Sequence, residues 1–163
     1  MSAPSREPNR FPEALALFNP PLGAYLIWQA VHEYSTRASQ AMPFTSAFLI
    51  LPFSLHPPIR ASLPRSARTS LTSWALGNSF LQSEFGRVAA VLMPVSRRSL
   101  RFALRGQMLT INSGSLGALG RVRSVSRDFP DEITESVRAA KLCGRWMASI
   151  DPVTMYSVLG VRP

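Results

Sequence analysis

Seven arginines fall between residues 97 and 127 with no aspartate or glutamate among them: Arg97, Arg98, Arg101, Arg105, Arg121, Arg123 and Arg127. A guanidinium presents its donors as a planar fork that matches the oxygens of phosphate or carboxylate, so the chemistry on offer is anion binding rather than bond making. If residues 97–105 are helical, Arg97, Arg101 and Arg105 share a stripe at i, i+4 and i+8, with Phe102 on that outer side beside Arg98. Such a helix next to a basic hairpin can neutralise several phosphates, and its binding would weaken steeply with salt. The same face could dock on an acidic protein or simply be solvated, and the residues leave these three readings open.

Bond-making chemistry has little material. The single cysteine, Cys143, and two histidines offer neither a zinc set nor a Cys–His pair at a recognisable spacing. The run GSLGALG lacks the following lysine of a phosphate loop and opens no helix. Glu84 is the sole acid between Glu33 and Asp128, which leaves paired-carboxylate hydrolysis without partners. No GxSxG elbow occurs among the serines. His56, with no second histidine or carboxylate near it in the chain, reads as structural. The expectation is a protein that is not an enzyme and uses no metal or cofactor.

Composition sets the wider bounds. The chain has 163 residues, one domain's worth, and a formal charge of +9 that favours polyanions or an acidic partner face. Of its 18 basic residues only Lys141 is a lysine, a bias that a GC-rich genome would also produce. Hydrophobic residues reach 46% while charged residues make up only 17%, against about 25% in ordinary soluble domains. Part of the surface is therefore expected to be covered by a partner. The longest apolar run, Ala47 to Leu55, is interrupted by Pro52 and is far short of the roughly 20 residues that span a bilayer. The N-terminus lacks the apolar stretch of a signal peptide, so a cytoplasmic protein with reduced Cys143 is expected.

The elements that must position these residues can be read along the chain. Residues 1–12 carry three prolines and form an extended arm; 13–77 are a helical part, 78–125 a winged-helix-like part, and 126–163 a C-terminal helical module, all within a single domain over 1–163. Asn19 and Pro20 start a helix that runs to about Arg37. A second helix starts at Pro43 and kinks or stops near Pro52; being apolar all round, it belongs at the centre of the core or in an interface. Pro57 and Pro58 open a short helix reaching Leu63, and Arg65 to Leu76 form another that Gly77 stops. Ser79 to Met93 is a helix ended by Pro94, and Ser96 caps the next, ended by Gly106. A hairpin follows, with one strand over Met108 to Ile111 and a turn at Asn112 to Gly114. Two helices and then a hairpin is the order of a winged-helix unit. After Asp128, Pro130 starts a helix with Ile133, Val137, Ala140, Gly144 and Met147 on one stripe, and Arg138, Lys141 and Arg145 on another. Asp151 and Pro152 cap a last helix that Gly160 ends. The fold class is mainly α with a small β-hairpin: a compact helical domain containing a winged-helix-like unit. Phe48, Ile50 and Phe53 from the apolar segment, with Tyr156 and Leu159 from the last helix, are candidates for a partner interface. Arg97, Arg98, Arg101, Arg105, Arg121 and Arg123 are candidates for DNA or an acidic partner.

Three stretches carry a family resemblance: FNPPLGAYLIWQAVHEY, then MPFTSAFLILPFSLHPPIRASLPRSART, and the closing GRWMAS…VTMYSVLGVRP. Together they resemble the middle component of bacterial three-component ABC (ABC-3C) conflict systems, which include Lamassu, over about Asn9 to Pro163. The resemblance implies a small non-catalytic adaptor in an anti-phage or anti-plasmid complex, beside an SMC-like or Rad50-like ABC ATPase and an effector, often a nuclease. DNA contact would be direct or through the complex, and no membrane is involved. The alternative is a free winged-helix transcription regulator that binds its operator as a dimer without an ATPase.

Overall fold

A computed structural model of the chain describes residues 19–121 and 128–162. The expected arm over 1–12 and the residues joining the hairpin to the C-terminal module, Arg123 and Arg127 among them, lie outside that set. Helix α1 (Pro20–Ala38) has Pro20 in its first turn, where a missing N–H costs nothing, and ends on Ser39 in a left-handed conformation. Asn19 occupies the cap position but its side chain makes no capping bond. Nine of the helix's residues are buried, including Gln29, so α1 runs through the interior. It packs against α5, α6, α2 and β3, defined below.

After α1 the chain departs from expectation. Met42–Pro43 is a strand, β1, and Phe44–Leu49 a 3-10 helix, before α2 (Ile50–Leu55) begins. Pro52 therefore sits in the first turn of a helix instead of ending one, which its missing N–H allows. Helix α3 (Pro57–Ser62) is capped by His56, whose Nδ1 accepts the Ile59 N–H at 3.4 Å. The helix expected from Arg65 is shorter: α4 spans only Leu71–Gly77, capped by Ser70, and residues 63–70 form a loop.

The largest correction concerns Pro94. Instead of two helices there is one, α5 (Ser79–Arg105), with Pro94 inside it and Ser96 fully buried rather than capping. An interior proline costs about 3 kcal/mol because it removes one hydrogen bond and crowds the carbonyl four residues back. Here both Pro94 and Ala90 are exposed, so the freed carbonyl faces water. On the opposite side Phe85, Val88, Ala89, Leu92, Val95, Leu100 and Ala103 are buried at an unbroken helical spacing, and that burial outweighs the local defect.

Gly106 ends α5 and the hairpin β2 (Leu109–Asn112) and β3 (Ser115–Ala118) follows through Ser113 and Gly114, both with positive φ as a two-residue turn of this kind requires. β1 joins the other side of β3, with Met42 opposite Leu116, giving a three-stranded antiparallel sheet of order β1-β3-β2. The fold is thus mainly α with a small antiparallel sheet. A helix, a short strand, further helices and a hairpin, in that order, are compatible with a winged-helix-like unit in which α5 alone precedes the wing.

The C-terminal module is helix α6 (Asp131–Met147) and helix α7 (Pro152–Leu159). The cap position of α6 is Pro130, and Asp151 caps α7 by accepting the Thr154 N–H at 2.9 Å. Val137, Ala140, Gly144 and Met147 of the expected stripe are buried. Phe53 lies at the centre of an aromatic cluster, 4.6 Å from Phe85, 5.6 Å from Trp74 and 5.8 Å from Trp146 between ring centroids. Both indole N–H groups in that cluster are satisfied, Trp74 by Ser62 Oγ and Trp146 by the Thr69 carbonyl.

Candidate nucleic-acid interface

The last three turns of α5 carry the arginine stripe. Arg97, Arg98, Arg101 and Arg105 are all exposed, and none forms an ion pair among the described residues. The inner side of the same turns, Ser99, Leu100 and Ala103, is buried, so the helix cannot rotate to hide its cations. A helix end carries about half a negative charge, which one cation offsets. Four exceed that need.

Arg98, Arg101, Phe102 and Arg105 line an open groove of about 560 Å3 whose far wall is Pro20, at the start of α1, and whose end is Gly106. Phe102 is 43% exposed, an apolar ring among guanidinium groups. Arg97 is on the same exposed side but does not line the groove.

Two residues beyond Gly106, Met108 lines a smaller depression of about 170 Å3 with Tyr25, Trp28, Leu119 and Arg121. The Tyr25 and Trp28 rings are nearly parallel, 10° apart, with centroids at 6.4 Å. Trp28 Nε1 donates to the Leu119 carbonyl at 2.7 Å, which fixes the end of β3 to α1 and places Arg121 at this depression. Arg121 thus lines a depression of its own, next to the hairpin and apart from the groove that holds Arg98, Arg101 and Arg105. Tyr25 and Pro20 were not among the expected site residues; the only signal was an aromatic pair at i, i+3 near the start of α1.

The expected partner-interface residues fare differently. Ile50, Phe53 and Leu159 are 0% exposed and belong to the core, the first two because α2 is enclosed by α1, α5 and α6. Of the two readings of the all-round apolar segment, the core is the one realised. Tyr156 is also buried, and its hydroxyl donates to the Thr45 carbonyl at 2.6 Å; burial pushes its pKa up. Phe48 is half-buried, edge-on to Phe44. Among the described residues the most exposed large apolar side chains are others: Leu76 at 80%, Phe80 at 75% and Val153 at 80%.

The isolated titratable groups have structural settings. Burial raises the Cys143 thiol far above its ordinary range, and no thiolate forms near neutrality. His56 is held below its usual value by burial and by Arg87, with Glu84 opposing. Hydrogen bonds from Thr154 to its carboxylate lower Asp151. Among the described residues no helix is long and apolar enough to cross a membrane.

The family model described as ABC-three component (ABC-3C) system Middle Component 3 matches residues 8–163. No curated protein and no solved structure matches the chain.

Proposed function

The chain belongs to the Middle Component 3 family of ABC-three component systems, and on that premise we propose that it is a non-catalytic adaptor of a defence complex against phage or plasmids. It bridges an SMC-like or Rad50-like ABC ATPase and an effector nuclease, and its α5 face contacts the phosphate backbone of DNA. A middle component implies protein partners. Leu76 and Phe80, on either side of the α4–α5 corner, supply exposed apolar surface for one of them.

The observation that carries the DNA reading is the set of four exposed arginines on one helix, none with an ion pair among the described residues, with Arg121 in a second depression beside the hairpin. Backbone contacts of this kind set affinity and salt dependence without reading sequence. Replacing Arg97, Arg101 and Arg105 together by glutamine in the assembled complex should weaken duplex binding and flatten its log–log salt slope by about two to three units. Unchanged affinity and slope with intact assembly would reject DNA contact; lost assembly would assign the face to an acidic protein instead. The order of elements also supports a free winged-helix regulator. Operator binding by a dimer of this chain, with no coiled-coil ATPase encoded beside it, would favour that reading.

A further inference from the structure

A second basic concavity lies at the other end of α1. Arg37, Ser66, Ala67, Arg68 and Arg145 line a pocket of about 360 Å3. Arg37 is 17 residues along α1 from Pro20, so this pocket is about 25 Å from the α5 groove at the helical rise per residue. The two are separate sites.

The pocket is built by a strapped loop. Arg138 Nη1 donates to the Pro64 carbonyl at 3.1 Å, and Trp146 Nε1 donates to the Thr69 carbonyl at 2.8 Å. Residues 65–68 are therefore held against α6 from both ends. Within the loop Ser66 Oγ accepts the Arg68 N–H at 3.4 Å, which leaves its own hydroxyl proton available as a donor. Arg145 Nε is paired with Glu33 at 3.0 Å, an arrangement that orients its guanidinium. Arg37 and Arg68 have no ion pair among the described residues.

Arg37 and Arg145 stand in the last turns of α1 and α6, where cations offset the negative helix ends. Two helix ends and Glu33 together supply about two negative charges against three cations. Arg68, on the strapped loop and at no helix end, is the unbalanced one. We infer that this pocket binds a phosphate group, held by the guanidinium groups of Arg37 and Arg68 with the Ser66 hydroxyl and Arg145 completing the donors. The phosphate comes either from a free nucleotide or from a nucleic-acid backbone; both present the same oxygens.

The test uses the full chain with Arg97, Arg101 and Arg105 already replaced by glutamine, so that it does not depend on the α5 face. Into this background go Arg37→Gln and Arg68→Gln, with ATP titrated by calorimetry and a fluorescein-labelled 20-base-pair duplex followed by anisotropy. A loss of at least about tenfold in ATP affinity, as expected for two charge-assisted bonds, identifies a nucleotide site. A comparable loss for the duplex with a salt slope shallower by about two, and ATP unaffected, identifies a backbone site. No binding of either probe, or unchanged binding of both, overturns the inference. So does a lowered melting temperature with unchanged affinities, which would make the arginines props of the fold, or a loss confined to a poly-glutamate probe.

Discussion

Gly144 of α6 lies directly against the backbone of Ala30 in α1: a Cβ on Gly144 would sit 2.2 Å from the Ala30 carbonyl oxygen and 3.0 Å from its Cα. Neither obstacle is a side chain that can swing aside. The two helices touch through their main chains, and the absence of a side chain at 144 sets their separation. Gly144→Ala should therefore act as overpacking of the core, at or above the upper end of the usual 1–3 kcal/mol, about 3 kcal/mol. A urea midpoint indistinguishable from that of the wild type would mean the helices separate freely.

Pro94 offers the opposite case. Replacing it with alanine restores an N–H to the helix ladder and removes a ring from the Ala90 carbonyl, while freeing the unfolded chain slightly. With no buried atom lost, Pro94→Ala should stabilise the protein by about 1–2 kcal/mol. Thermal melting reads the sign, and a lower melting temperature would show that the proline shapes the helix.

Stability should depend on the protonation of His56. Its folded pKa lies below the unfolded value near 6.5, so the folded state binds fewer protons. The contribution is complete above pH 6.5 and is lost as pH falls through the folded pKa, when a protonated Nδ1 can no longer accept the Ile59 N–H. His56→Asn keeps a capping oxygen without the titration and should flatten the stability profile in this window. Identical profiles for the two proteins would remove His56 as the cause.

The last helix should be indispensable. Deleting residues 152–163 removes Met155, Tyr156 and Leu159, each buried, at about 1.5–3 kcal/mol apiece, a sum comparable with the whole stability of a domain. The truncated chain is expected to lose folding or assembly. Rapid amide exchange across 153–159 in the intact protein would contradict this, as would a truncated chain that still assembles.

The ends of α1 and α7 were legible because proline at a helix start and glycine in the left-handed conformation at Gly160 act locally. The α5 stripe was legible because surface arginines at i, i+4 and i+8 need only a helix to align them. Pro94 reads as a helix end because its penalty is local, whereas the apolar period that overrides it runs past it from Phe85 to Ala103. β1 could not be read, since two residues acquire strand geometry only from pairing with β3, over seventy positions away. Residues 65–70 read as helix in the sequence but form loop, because their shape comes from Arg138 and Trp146 in a distant helix, and the pocket they build is hidden for the same reason.

The hairpin is fastened at both extremities. At its base Met108 N–H bonds to the Ala103 carbonyl and Leu119 N–H to the Met108 carbonyl, with Trp28 holding Leu119. At its tip the Gly114 carbonyl accepts the Phe44 N–H at 2.9 Å. A wing tethered this way has already lost its conformational freedom during folding, so engaging a ligand costs it little further ordering entropy. Association at this face should accordingly show the calorimetric signature of rigid docking, with a heat-capacity change no larger than the contact area accounts for and no excess from coupled folding.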